Sequence, residues 1–129
     1  MALGALSLLA ALWAGLIRLG WALPVVTSSV PPHHGPLMVT GFLGTVIGLE
    51  RAIALKRRWP YAAPLLAGLG GLAWIVGVSV HVGHALVAAG SVVLVAIFVV
   101  LFRQHPTLYL AAMGLGAASW LAGTLLWHR

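Results

Sequence analysis

Cysteine is absent from this sequence, and Glu50 is its one acidic residue. The first absence excludes disulfides, thiolate metal sites and cysteine nucleophiles. The second excludes paired carboxylates and the carboxylate-rich shells of magnesium and calcium sites. It also leaves Ser28, Ser29, Ser79, Ser91 and Ser119 without an acid to complete a nucleophilic triad. No phosphate-cradling glycine loop is present either, so hydrolysis and phosphoryl transfer have nothing to build on. Charge of both signs is scarce: 6% of the 129 residues are charged and 62% are apolar. The mean hydropathy of +1.10 lies far outside the range of a water-soluble domain.

What is present is a series of apolar runs, each about as long as the roughly 20 residues that cross a hydrocarbon core about 30 Å thick. Punctuation separates five of them, predicting an all-α integral membrane bundle with helices over residues 2–23, 36–55, 60–80, 85–102 and 106–127. They fill one transmembrane domain and leave no room for another. Pro24 and Thr27-Ser28-Ser29 end the first run. Pro31-Pro32-His33-His34-Gly35-Pro36 reads as an extended connection that starts the second helix near Pro36, a favoured first helical position. Lys56-Arg57-Arg58 ends the second helix. His81-Val82-Gly83-His84 reads as a tight turn, and Arg103-Gln104-His105-Pro106 as the last one. A longer, bent helix through residues 75–98 would instead give four spans. The first run has no basic segment before it and no small-x-small cleavage site after it, so a retained helix is expected rather than a signal peptide.

The net charge of +6 could suggest nucleic acid, but three of the seven basic residues cluster between two apolar runs. The charge therefore reads as membrane topology, with the lipid bilayer and not nucleic acid as partner. With five spans, Arg51, Lys56, Arg57, Arg58 and Arg103 fall on the side of the N-terminus, and Arg18 and Arg129 on the other. That imbalance predicts a cytoplasmic N-terminus and an outward C-terminus in a bacterial-type inner membrane.

Small residues mark helix-contact faces: Gly41, Gly44, Thr45 and Gly48 in the second helix, with His34 and Met38 extending that side. Gly70, Trp74, Gly77, His81 and His84 recur at four-three spacing, as do Gly116, Trp120, Gly123 and Trp127. Close helix packing explains such stripes. A glycine such as Gly41 could equally admit the edge of a flat cofactor.

The six histidines are the sharpest chemical signal. On this topology His33, His34, His81, His84 and His128 share the outward rim, and His105 lies at the opposite one. Neutral imidazole coordinates metals through one nitrogen while the other is held by a hydrogen bond. A helix start disfavours its protonation. With Met38 as the nearest soft donor, the candidate ligands are nitrogen-rich and carboxylate-free, which suits haem b or copper. A pair drawn from His33 or His34 and His81 or His84 is expected; interfacial histidines satisfied by water and headgroups are the alternative. Arg18, about one turn below the same rim, could hold a haem propionate or simply snorkel to the surface. Glu50 falls near the inner rim and opposite the glycine side. Arg51, its sequence neighbour, should point away, so Arg103 is the expected partner in an ion pair or proton site.

The stretch His33-His34-Gly35-Pro36-Leu37-Met38-Val39-Thr40-Gly41-Phe42 resembles the histidine-led helix starts of NnrS-type membrane proteins. It is also similar to small membrane proteins encoded beside bacterial nitric oxide reductases. The resemblance covers one helix start and the general pattern, and the chain has fewer than half the spans of a full NnrS-type protein. It implies haem or copper at His33, His34, His81 and His84, in a protein serving respiration or nitric oxide metabolism in denitrification; whether the chain is an enzyme stays open, a stand-alone one being the less expected.

Three readings follow. One is a haem- or copper-binding membrane protein of a respiratory system. The second is a cofactor-free accessory subunit, packed against oxidase or reductase subunits or its own copies. The third is a small transporter that uses Glu50. All three depend on sidedness, which the cysteine-free background makes directly measurable. Cysteine introduced at Pro32 or Val82 is expected to react with an impermeant maleimide from outside the cell, and cysteine at Arg57 only after the membrane is opened. Opposite labelling of positions 32 and 82 would dissolve the outward histidine group.

Overall fold

The computed structural model describes residues 1–127; His128 and Arg129, and with them the proposed ligand His128, lie outside the described residues. The described residues form five helices and no strand. They are α1 (Ala2–Arg18), α2 (Pro31–Leu55), α3 (Trp59–Val76), α4 (Val80–Gln104) and α5 (Leu108–Trp127). The last four are long and apolar enough to cross a membrane, whereas α1 has 17 residues. The chain is thus an all-helical protein with the make-up of a multi-pass membrane protein.

Several helix ends differ from those expected, each for a local reason. Helix α1 stops at Arg18, not near residue 23. Gly20 adopts φ +90°, while Gly20 N–H donates to Ile17 O and Trp21 N–H to Leu16 O. That paired glycine stop caps carbonyls which would otherwise be orphaned. Trp13 Nε1–H then donates to Pro24 O at 3.0 Å, folding the following segment back on α1. Helix α2 begins at Pro31 rather than Pro36. Prolines are tolerated in a first turn, so Pro31–His33 forms a 3₁₀ turn and His34–Pro36 an α-helical one. A π-helical stretch, Leu37–Leu43, follows before regular α-helix resumes at Gly44.

The expected turn at residues 81–84 is helix instead. Gly77, at φ +74°, ends α3, and Ser79 in extended geometry precedes α4. The connection is therefore Gly77-Val78-Ser79, and His81 and His84 ride on the first turns of α4. This also breaks the four-three stripe that ran through Gly77.

The helix ends meet alternately. Ala11, Ala14, Val30, Leu37, Trp74 and Val87 pack into one apolar cluster. Leu55, Ala63, Leu94, Ile97, Phe98, Leu101, Leu110 and Ala117 form another. The starts of α2 and α4 thus share one end of the bundle with the C-terminal half of α1 and the end of α3. The second cluster joins the end of α2 to the starts of α3 and α5. Glycines make the crossings close. A Cβ on Gly41 would lie 2.8 Å from Ser7 Oγ, and one on Gly71 2.5 Å from it. Gly48 lies against Pro64, Gly70 against Val87, and Gly83 against the Trp74 indole. Such backbone proximity is what associates helices in a bilayer, where apolar burial gives them little drive to come together. Helix α5 is different: Leu110, Ala117 and Thr124, at seven-residue spacing, are its buried residues, and Gly116 and Gly123 face open space.

Substituting leucine at Gly41 or Gly71 is expected to destabilise the bundle by about 1–3 kcal/mol, the usual range for overpacking, read as an earlier thermal transition in detergent. Ser7→Ala should be nearly neutral, since Ser7 Oγ is buried without a hydrogen-bond partner among the described residues.

Candidate functional site

The histidines separate into distinct environments. His33, on the 3₁₀ turn of α2, and His84, on the second turn of α4, are both buried, at 7% and 6% exposure. Their ring centroids lie 6.5 Å apart. His33 Nδ1 lies 2.6 Å from Ser29 O and His84 Nδ1 2.8 Å from Val80 O. A carbonyl only accepts, so in each neutral ring Nδ1 carries the proton and Nε2 the lone pair. This is the arrangement in which metal-binding imidazoles are commonly held.

The position of His33 depends on the connection between α1 and α2. Ser29 Oγ–H donates to Trp74 O at 2.7 Å and Thr27 Oγ1–H to Ile75 O at 2.9 Å. Two hydroxyls thereby satisfy carbonyls of the last turn of α3, which have no partner inside the helix. That tether brings Ser29 O under His33 and stacks His33 on Trp74, with ring centroids 5.3 Å apart. Trp74 also meets His84 edge-on at 5.3 Å, and Trp127 of α5 closes the group, 4.4 Å from His84 and 5.9 Å from His33.

This aromatic group stands beside an apolar cleft of about 540 Å³, whose lining includes Val39, Trp74, Val87, Trp120, Gly123 and Trp127. The volume is within the range of small-molecule sites. Helix α5 rests mainly on α4, and Pro36, Val39 and Thr40 of α2 line the cleft across from it.

The other candidate residues lie elsewhere. His34 turns to the opposite side of α2, its Nδ1 2.7 Å from Ala11 O and its Cε1 3.0 Å from where a Cβ on Gly15 would sit. It shares with Arg18, Leu12, Leu16 and Leu19 a separate hollow of about 620 Å³. Arg18 is therefore placed with His34 rather than with the His33–His84 pair. His81 is exposed. Met38 packs against the apolar cluster around Trp74. Gly41 is filled by Ser7 of α1, so it serves a helix crossing and offers no room for a flat ring. Among the described residues no group of three or more metal-ligating side chains of the histidine, cysteine or carboxylate type forms.

Glu50 corrects an expectation. Its Oε1 lies 2.6 Å from Arg51 Nη2, and the Glu50 side chain is 64% exposed. Arg103 is exposed at the end of α4 and makes no ion pair with it. Consecutive helical residues diverge at Cβ, but the long arginine side chain bends back across that gap at a surface with no other anion.

Sequence reasoning did not assign Trp74 and Trp127 to the site, nor Ser29 and Thr27 to its support. The spacing of Trp120 and Trp127 carried a signal, but it read as helix packing.

No curated protein and no solved structure matches the chain. One family model matches residues 1–129, and the chain therefore belongs to the family described as a domain of unknown function (DUF8744).

Proposed function

We propose that this chain is a five-span protein of a bacterial-type inner membrane that binds haem b or copper through His33 and His84. The observation that carries the reading is a pair of buried imidazoles from two helices, each with Nδ1 held by a backbone carbonyl. With ring centroids 6.5 Å apart, His33 and His84 are the residues that would hold the metal, near enough for one ion to be shared at ordinary metal–imidazole bond lengths of about 2.0–2.1 Å. Copper(I) accepts two nitrogen donors, and haem supplies its own four, so neither needs a third protein ligand.

Sidedness is part of the proposal. Helix α1, at about 1.5 Å per residue, reaches about 25 Å and would cross with the apolar Leu19 and Trp21 completing its outer end. The basic end of the bundle, with Arg51, Lys56, Arg57 and Arg58, would then be cytoplasmic, and the histidine pair outward. Service to a respiratory or denitrification system rests on the resemblance of residues 33–42 to NnrS-type proteins. Gly116 and Gly123 of α5, facing open space, support docking to an oxidase or reductase helix or to a second copy. Glu50, in an exposed ion pair, offers no buried carboxylate for transport.

Purified protein analysed for metal and by absorption spectroscopy tests the proposal. Haem is expected to give a Soret band, and copper a stoichiometric metal content without one. His33→Ala and His84→Ala should each lower occupancy more than about tenfold, as loss of even an outer-shell partner can, with His105→Ala unchanged. A colourless, metal-free preparation that still copurifies with an oxidase or reductase would replace this reading with that of an accessory subunit.

A further inference from the structure

Beneath the cleft lies a smaller, more enclosed chamber whose lining includes Thr40 of α2, Ala67 of α3, Gly90 and Ser91 of α4 and Trp120 of α5. About 10 Å³ of it is open to the centre of a water-sized sphere, close to the roughly 10–15 Å³ that one water molecule requires. Its polar lining is specific. Trp120 Nε1–H is buried and has no hydrogen-bond partner among the described residues. Thr40 Oγ1–H donates to Pro36 O at 2.6 Å and Ser91 Oγ–H to Val87 O at 2.9 Å. Both hydroxyls have therefore used their protons and present only lone pairs.

The residues lining the chamber thus carry one unpaired donor and two acceptors, in a chain with few other polar groups. An indole N–H left unpaired at such depth is unfavourable. Its complement must accept one hydrogen bond, donate two, and have the size of a single heavy atom. We infer that one water molecule is bound in this chamber, accepting from Trp120 Nε1–H and donating to the oxygens of Thr40 and Ser91. The water ties α5 to α2 and α4 at a depth where the remaining contacts of α5 are apolar. It is a dead end, because Leu94, Ile97 and Phe98 of the packed apolar cluster lie below, with Trp120 against them. The chamber holds one water and does not continue as a file.

The test uses the whole chain with ¹⁵N-labelled indoles in lipid nanodiscs, with the Trp120 signal identified by its loss in Trp120→Phe. Magnetisation transfer from water to the Trp120 indole proton is expected, together with slow exchange of that proton in heavy water. Thr40→Val with Ser91→Ala should abolish the transfer and move the indole proton upfield. Absence of transfer in the unmodified protein would overturn the inference, and that measurement needs no variant to fold. Fast exchange with bulk water, or transfer unchanged in the double variant, would overturn it as well.

Discussion

Polar groups in a chain this apolar must find their partners within the protein, because lipid provides none. The constraint is most visible at the helix ends, where carbonyls lack an intrahelical acceptor role filled from within. Thr27 and Ser29 donate to the last turn of α3, and the tight glycine stop at Gly20 closes the last turn of α1. Three of the histidines at this end also bond backbone carbonyls: His33 with Ser29, His34 with Ala11 and His84 with Val80. Each bond is worth only about 0.5–1.5 kcal/mol net, but leaving a buried group unpaired costs about 1–3 kcal/mol. The network therefore fixes both tautomer and ring direction.

That fixed geometry links the fold to the proposed chemistry. With Nδ1 occupied, the lone pairs of His33 and His84 sit on Nε2, and the Trp74 and Trp127 rings wall the pair on its apolar sides. A site of two nitrogen donors in an apolar wall favours metals that accept few, soft-to-borderline ligands or that arrive with their own macrocycle. The same helix ends place the His34–Arg18 hollow on the other face of α2, so neighbouring histidines in sequence serve separate surfaces. Adjacent positions on a helix point apart, which produces that divergence.

The opposite end of the bundle follows a different rule. Basic residues outnumber the one carboxylate there, so Glu50 pairs with the nearest reachable guanidinium, that of Arg51, at the surface. A helical-wheel argument treats side chains as vectors from Cβ. It fails for arginine, whose length lets the charged group return across the divergence. Such an exposed pair contributes little to stability, and toward that end the close packing of Gly48 against Pro64 joins α2 to α3 instead.

Composition and periodicity determined that the chain is all-helical, with runs long and apolar enough to cross a membrane, because a hydrocarbon core admits few backbone solutions and each demands a long apolar run. They also drew attention to His33, His34, His81, His84 and His128 as a group, since imidazole is scarce in such runs, without choosing among them. What only the tertiary structure decided was which histidines meet. Whether Pro31 or Pro36 starts α2, and whether Gly77 or Gly83 marks the turn before α4, rotates a histidine by a large part of a helical turn. Proline and glycine are compatible with both alternatives locally, so the choice fell to distant contacts: Ser29 on the end of α3, and the Trp74 indole against Gly83. The partner of Glu50 and the filling of Gly41 by Ser7 were settled in the same way, by groups far apart in sequence that packing brings within reach.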